Sequence, residues 1–151
     1  MPSVLFVCLG NICRSPTAEA VFRHKAKAAR VDVAIESAGT GGWHEGDRPD
    51  PRAMQAGRAR GYSFKGQSAR AVRDTDFAEF DHIFPMDSRN YEDLMKRCPP
   101  QHRHKIRKFL DLTPQSQERD VPDPYYGGEG GFEHVLDLIE AASDALISEL
   151  K

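Results

Sequence analysis

The strongest constraint on the fold is the stretch VLFVCLGNICRSPTAEAVF, residues 4–22, in which an apolar run passes through a short loop directly into a helical pattern. The continuous apolar residues of 3–8 predict a strand that is buried on both faces. Ser15 is suited to cap the helix that follows, and Pro16 is suited to its first position. A buried strand followed at once by a helix indicates a parallel sheet with helices on both faces.

Three further segments have the character of strands. Residues 31–39 alternate between apolar and polar, and residues 80–87 form a short run that we expect to end near Pro85, because proline lacks the donor that a sheet ladder needs. Residues 104–112, HKIRKFLDL, predict a weaker fourth strand.

Helical patterns separate and follow these strands. Pro51 begins a short helix that runs toward Arg60 and stops at Gly61, and Ser88 caps a helix over 88–98. The last helix has the clearest apolar stripe, formed by Phe132, Val135, Leu136, Ile139, Ala142, Leu146, Ile147 and Leu150. The whole chain, residues 1–151, therefore predicts an α/β fold with one domain, a doubly wound four-stranded parallel sheet with helices on both faces.

Composition excludes several functional classes. The net charge of −2 gives no support for binding to nucleic acid or to a membrane surface. We find no signal peptide and no apolar run of the roughly 18 residues that span a bilayer, so we expect a cytoplasmic protein. Three cysteines are an odd number, and a disulfide framework is not expected.

The loop CLGNICRS lies at the carboxyl edge of the predicted sheet, where such folds bind ligands. Backbone N–H groups at a helix N-terminus suit a phosphate, and Gly10 lets the backbone approach it closely. Arg14 offers a planar fork for two phosphoryl oxygens, and the same positive groups would stabilise a thiolate at Cys8. The loop therefore predicts a nucleophile within its own phosphate cradle, the alternative for Cys8 being an inert core cysteine.

A proton donor for the leaving group is the second part that phosphoryl transfer through cysteine needs. Asp123 is the candidate, since Pro122 and Pro124 stiffen its loop. Tyr125 and Tyr126 follow as possible aromatic walls. The alternative interpretation of this segment is a rigid turn with surface tyrosines.

Four blocks in order, residues 4–22, ESAGTGGWHEGDRPDPRA, IFPMDSRN and DPYYGGEGGFEHVLDLI, resemble the low-molecular-weight protein tyrosine phosphatases over nearly the whole chain. The resemblance implies the flavodoxin-like fold of that family and hydrolysis of phosphotyrosine and small aryl phosphates without cofactor or metal. It implies that Cys8 attacks phosphorus, that Arg14 binds the phosphoryl oxygens, and that Asp123 is first acid and then base.

The resemblance assigns the phosphate-binding loop to Leu9, Gly10, Asn11, Ile12, Cys13 and Ser15. It implies that the Ser15 hydroxyl donates to the thiolate, and that Asn11 holds the loop through Ser15 and Ser37. A histidine of the family's supporting network is replaced here by Gln67, which can donate and accept hydrogen bonds but carries no charge.

Other positions concern the substrate and oxidation. By resemblance, Trp43, Tyr125 and Tyr126 line the pocket entrance. Ile12 faces the leaving group, where related protein arginine phosphatases have threonine. Cys13 matches a cysteine that can form a reversible disulfide with the nucleophile, or it is simply packed.

The sequence leaves three alternative functions, namely a thiol-type arsenate reductase, a protein arginine phosphatase and a non-catalytic phosphate-binding module. Thiol-type arsenate reductases share the fold and the loop but need further cysteines, and only Cys98 lies downstream. A non-catalytic phosphate-binding module would have no use for a reactive thiol. Cys98, His102 and His104 are close enough in sequence to suggest a metal site, but no second cluster accompanies them, and we expect a basic surface loop.

We expect the partner to be a protein that carries phosphotyrosine. We expect a monomer, with exposed aromatic residues beside the site that allow weak self-association.

Overall fold

The computed structural model describes residues 1–124 and 129–151. Within them, strand β1 (Ser3–Cys8) lies at the centre of a parallel sheet, between β2 (Ala34–Gly39) and β3 (His82–Pro85). The order β2-β1-β3 requires crossovers, which the helices supply. The central strand is the one that leads into the loop CLGNICRS, so the sheet holds this loop from both sides.

The helices follow the predicted alternation. Their bounds are α1 Arg14–Ala28, α2 Pro51–Ala59, α3 Asp76–Glu79, α4 Ser88–Arg97 and α5 Glu129–Leu150, with two 3-10 segments at Pro100–Lys105 and Phe109–Leu112. Helix α2 begins at Pro51 and is followed by Gly61 in the left-handed region (φ 91°), and β3 ends at Pro85, as the sequence predicts.

The two faces of the sheet are covered by different helices. Phe6 points to a cluster that contains the apolar stripes of α1 and α5, and its ring packs against Phe22 with centroids 5.8 Å apart. Leu5 and Val7 point to a second cluster with residues of α3 and α4, among them Leu94. The α/β architecture with helices on both faces of a parallel sheet is therefore confirmed. Among the described residues, no helix is both long and apolar enough to cross a membrane.

The predicted fourth strand is not present as a strand: in the part of the chain that the structure describes, the sheet has three strands. The segment 104–112 makes one parallel bridge, between Ile106 and Ile83. One 3-10 segment ends at Lys105, and the next begins at Phe109, where the backbone N–H of Lys108 donates to Asp111 Oδ2 at 3.2 Å. Because the two 3-10 segments lie so close together in the chain, only Ile106 between them pairs with β3.

Both predicted serine caps are wrong by one or two positions. Asp87 caps α4, because its carboxylate accepts the N–H of Asn90 at 2.7 Å. Helix α1 begins at Arg14, so Pro16 is its third residue, and Cys13 precedes the helix without a side-chain cap. The hydroxyl of Ser15 is instead directed into the loop that precedes the helix.

Candidate active site

The three residues predicted to carry the chemistry line one cavity of about 310 Å³ at the carboxyl end of β1. Cys8 is the last residue of β1, Arg14 is the first residue of α1, and Asp123 approaches from the segment before α5. The rest of the lining is Leu9, Gly10, Ile12, Cys13, Trp43 and His44. The sheet edge therefore brings together residues that lie more than 100 positions apart.

Asn11 organises the loop. Its backbone is in the left-handed region (φ 58°), a conformation that asparagine tolerates better than most residues. Its Oδ1 accepts the N–H of Arg70 at 3.0 Å, which fixes the orientation of the amide. Its Nδ2 then donates to Ser15 Oγ at 2.8 Å and to Ser37 Oγ at 3.0 Å. The predicted support by Asn11, Ser15 and Ser37 is thus a set of contacts with defined donors and acceptors.

Two donors reach the sulfur of Cys8. The backbone N–H of Asn11 lies 3.3 Å from Sγ, and Ser15 Oγ lies 2.9 Å from it. When Cys8 is a thiolate, the hydrogen bond between them needs the Ser15 hydroxyl as its donor. The alternative acceptor for that hydroxyl, the carbonyl of Ala38, is farther away at 3.3 Å. The arrangement suits a negative charge on sulfur at the N-terminus of α1.

Ser37 extends the support away from the pocket. Its hydroxyl accepts from Asn11 and donates to Glu19 Oε1 at 2.7 Å, and Glu19 is paired with Arg23. Our sequence analysis missed Glu19, although it lies one helical turn after Ser15 on α1. Residues four apart lie on the same side of a helix, and this spacing from Ser15 could have identified Glu19 in the sequence.

Among the residues that the structure describes, no hydrogen bond joins the Gln67 side chain to Asn11, Ser15 or Ser37. Its Nε2 donates to the carbonyl of Pro16 at 3.1 Å, and its buried Oε1 has no hydrogen-bond partner among the residues that the structure describes. Gln67 therefore supports the first turn of α1, and the side-chain hydrogen bonds of Asn11 are complete without it.

Arg14 is buried and strongly oriented. Its Nη1 donates to Asp87 Oδ2 at 2.6 Å and to the carbonyl of Val121 at 3.0 Å, and its Nη2 lies 3.5 Å from Asp123 Oδ2. Burial lowers the pKa of Arg14, but the negative charges of Cys8, Asp87 and Asp123 outweigh it and raise the pKa above its ordinary value. The guanidinium is a permanent positive charge at the cavity floor.

Asp87 is a site residue that our sequence analysis missed. It follows β3 at the same edge of the sheet as Cys8, and this position was the signal that could have identified it. One oxygen of Asp87 holds Arg14, and the other caps α4.

Cys13 faces the same cavity but is chemically different from Cys8. Burial, followed by the negative charges of Asp50 and Cys8, holds the pKa of the Cys13 thiol far above its ordinary value. Asp50 caps α2 and also donates its N–H to the carbonyl of Ile12 at 2.8 Å. Cys13 is therefore a neutral thiol near pH 7.

The pocket mouth has an apolar wall. Trp43 is 72% exposed and covers Gly41, where an added Cβ would lie 1.8 Å from the indole ring. Trp43 also lines the cavity that contains Cys8. Tyr125 and Tyr126 lie outside the described residues. His44, which the sequence analysis did not single out, also lines the cavity, and its Nδ1 is 3.1 Å from Asp47 Oδ2.

Within residues 1–124 and 129–151, no group of three metal-ligating side chains comes together, Cys98 with its neighbouring histidines included. Cys98 is buried, and its thiol donates to the carbonyl of Pro99 at 3.3 Å.

Known proteins of one family resemble this chain over nearly its whole length. Residues 3–151 match the family model described as "Low molecular weight phosphotyrosine protein phosphatase". The chain is 42% identical to the low molecular weight protein-tyrosine-phosphatase YfkJ of Bacillus subtilis, over 100% of this chain and 97% of the relative. It is 43% identical to the low molecular weight phosphotyrosine protein phosphatase of Sus scrofa, over 99% and 96%. The crystal structure of a protein tyrosine phosphatase from Entamoeba histolytica superposes with a TM-score of 0.96 at 45% identity, covering 99% of this chain and 97% of that one.

Proposed function

Because the chain belongs to the low molecular weight phosphotyrosine protein phosphatase family, we propose that it hydrolyses phosphotyrosine in proteins, and small aryl phosphates, through a phosphocysteine intermediate. The observation that carries the mechanism is that Cys8, Arg14 and Asp123 line one cavity at the carboxyl end of the central strand. A nucleophile, a fixed cation and a carboxyl group are the parts that phosphoryl transfer to cysteine requires.

In the first step, the Cys8 thiolate attacks phosphorus and the bond from phosphorus to the tyrosine oxygen breaks. The electron pair of that bond goes to the phenolic oxygen, and the carboxyl group of Asp123 gives it a proton. The N–H groups of the loop and the Arg14 guanidinium stabilise the charge on the transferring oxygens. The products of this step are free tyrosine hydroxyl and phosphocysteine.

In the second step, the carboxylate of Asp123 takes a proton from water while the water oxygen attacks phosphorus. The bond from phosphorus to sulfur breaks, and Cys8 leaves as a thiolate. The Ser15 hydroxyl and the Asn11 N–H, at 2.9 and 3.3 Å from Sγ, stabilise that leaving group. Inorganic phosphate is released, and Asp123 is protonated for the next cycle.

Specificity for an aromatic ester follows from the pocket mouth. Trp43 and Ile12 both line the cavity beside the nucleophile, and an aryl ring can pack between them. We assign Tyr125 and Tyr126 to the same wall from the family resemblance. Ile12 favours phosphotyrosine over phosphoarginine, because its hydrocarbon side chain, unlike the hydroxyl of threonine, offers no hydrogen bond to a guanidinium.

The chain acts as one domain over residues 1–151, without metal or cofactor, because the loop amides and Arg14 supply the positive field. In this proposal it works in the cytoplasm on a phosphotyrosine-bearing protein, as a monomer that self-associates weakly through exposed residues such as Trp43.

The substrate class is tested by incubating the protein with a phosphotyrosine peptide, a phosphoarginine peptide and arsenate with a thiol reductant, all in the presence of a chelator. We expect turnover of the phosphotyrosine peptide alone. Turnover of phosphoarginine would contradict the role given to Ile12. Reduction of arsenate would identify the alternative reductase, and binding of phosphate without any turnover would identify the non-catalytic module.

Mild oxidation is expected to join Cys8 and Cys13. Peroxide converts the Cys8 thiolate to a sulfenic acid and releases hydroxide, and Cys13 then attacks that sulfur to give a disulfide and water. Because its pKa is far above the ordinary value, Cys13 is a protonated and slow nucleophile near neutral pH. We expect disulfide formation to become faster as the pH rises from 7 to 9, as measured by mass spectrometry of peptides after brief peroxide treatment.

Cys13→Ser is the variant that should lose the disulfide, and Cys98→Ser is its matched control, which should keep it. Irreversible oxidation of Cys8 in the unsubstituted protein, with no disulfide at any pH, would show that Cys13 is only a packing residue.

A further inference from the structure

Asp120 lies three residues before the proposed acid and has no role in the site described so far. One of its carboxylate oxygens, Oδ1, accepts three hydrogen bonds. They come from the backbone N–H of Ser88 at 3.1 Å, from the Ser88 hydroxyl at 3.0 Å and from Lys108 Nζ at 3.1 Å. Lys108 Nζ also donates to Ser88 Oγ at 3.0 Å, so the three side chains form a closed triangle. The triangle ties the start of the acid's segment to the first residue of α4.

Val121, the next residue, is also anchored, by burial and by two backbone hydrogen bonds. It is fully buried, its N–H donates to the carbonyl of Met86 at 2.8 Å, and its own carbonyl accepts from Arg14 at 3.0 Å. Met86 and Ser88 flank Asp87, the residue that orients Arg14. The segment is therefore fastened to the same stretch of chain that positions the phosphate-binding guanidinium.

Only Pro122 separates these anchors from Asp123, and Pro124 follows it. A proline ring fixes its own φ and restricts the residue before it, so the backbone between Val121 and Asp123 has few conformations. The position of the Asp123 carboxyl near Arg14, at 3.5 Å, depends on where the anchors hold the chain.

We propose that Asp120 is a positioning residue that sets the geometry of proton transfer by Asp123. The inference rests on the proposed function, because it needs Asp123 to be the proton donor. The Asp120 and Lys108 side chains are 43% and 18% exposed, and an ion pair of that kind contributes little stability by itself. The expected effect is on geometry, since a displacement of a catalytic group by about 1 Å can reduce a rate as much as 100-fold.

The test is the kcat/KM of Asp120→Ala, which reports the first step and not the hydrolysis of phosphocysteine, on a series of aryl phosphates whose leaving groups become progressively poorer. Only poor leaving groups need the proton, so we expect a loss of about tenfold with the poorest phenol and little change with the best one. Asp120→Asn keeps an oxygen that accepts from Ser88 and should restore much of the activity. Glu149→Gln, which removes a surface ion pair with Arg107, is the control and should behave as the unsubstituted protein.

The decisive measurement is the same substitution combined with Asp123→Asn. If Asp120 acts through Asp123, then Asp120→Ala causes no further loss once the acid is gone. An added loss in that background, or an equal loss across all leaving groups, would overturn the inference and leave Asp120 a structural role only. If Asp123→Asn by itself shows no dependence on the leaving group, the proposed role of Asp123 is what fails. Should Asp120→Ala not fold, Lys108→Met breaks the same triangle and is expected to give the same leaving-group pattern.

Discussion

Replacement of Cys8 by serine is expected to abolish turnover of phosphotyrosine, with a loss on the order of 10⁴-fold or more, as is found when a covalent nucleophile is removed. The hydroxyl of serine stays protonated near neutral pH, and an alkoxide is a much poorer leaving group than a thiolate in the second step. The surroundings of Cys8 stabilise a thiolate, with donors from Asn11 and Ser15 directed at Sγ. Neither the Asn11 N–H nor the Ser15 hydroxyl can act as a base for a serine hydroxyl. The measurement is steady-state hydrolysis of a phosphotyrosine peptide with the variant at high concentration.

Binding has to be measured beside the rate, because a collapsed loop would also stop turnover. Serine differs from cysteine by one atom, so Cys8→Ser should keep the fold and bind phosphate with nearly unchanged affinity. Cys98→Ser, at a buried cysteine outside the pocket, is the matched control and should remain active. Residual activity in Cys8→Ser within tenfold of the unsubstituted protein would reject the phosphocysteine mechanism.

Arg14→Lys is expected to reduce the turnover number by about 10² to 10³-fold, the usual cost of removing one oriented group that stabilises transition-state charge. Nη1 of Arg14 donates to Asp87 and to the carbonyl of Val121, and Nη2 pairs with Asp123. The planar guanidinium keeps these two nitrogens at a fixed separation. A lysine ammonium carries the same charge but cannot present a planar fork to the phosphoryl group while it holds Asp87. The measurement is the turnover number together with the affinity for inorganic phosphate, both of which should fall.

Arg107→Lys is the control for this prediction, because Arg107 also pairs with a carboxylate, that of Glu149, but outside the cavity. It should leave the rate unchanged. A loss in Arg14→Lys confined to phosphate affinity, with an unchanged turnover number, would mean that Arg14 binds the ground state and the transition state equally.

The local parts of this site could be predicted from the sequence because they are adjacent in the chain. A buried strand, a loop with a nucleophile and a helix that begins with arginine occupy residues 3–15, and the pattern itself places Cys8 and Arg14 at the same loop. The apolar stripe of α5 could also be predicted, because its residues belong to one continuous segment. A helical repeat sustained over 19 positions is not compatible with a strand or a loop.

The contacts between distant segments could not be predicted in this way. Asp87 and Asp120 meet Arg14 and Ser88 only because β3 lies beside β1 and because the segment before α5 returns to that edge. Nothing in the sequence around either aspartate specifies a partner. The cap positions failed for a different reason: Asp87 and Ser88 are both good capping residues, and the choice between them depends on where the strand before them ends.

Trp43 is the only tryptophan of the chain, and it lies at the mouth of the cavity with most of its surface in water. Its fluorescence therefore reports on this one place in the molecule. An indole that is already solvated changes its surroundings little when the chain unfolds, whereas an aryl ring that packs on it removes water and alters its emission. The molecule thus carries a built-in fluorophore that follows occupancy of the pocket without a label, and that is nearly silent about unfolding of the core.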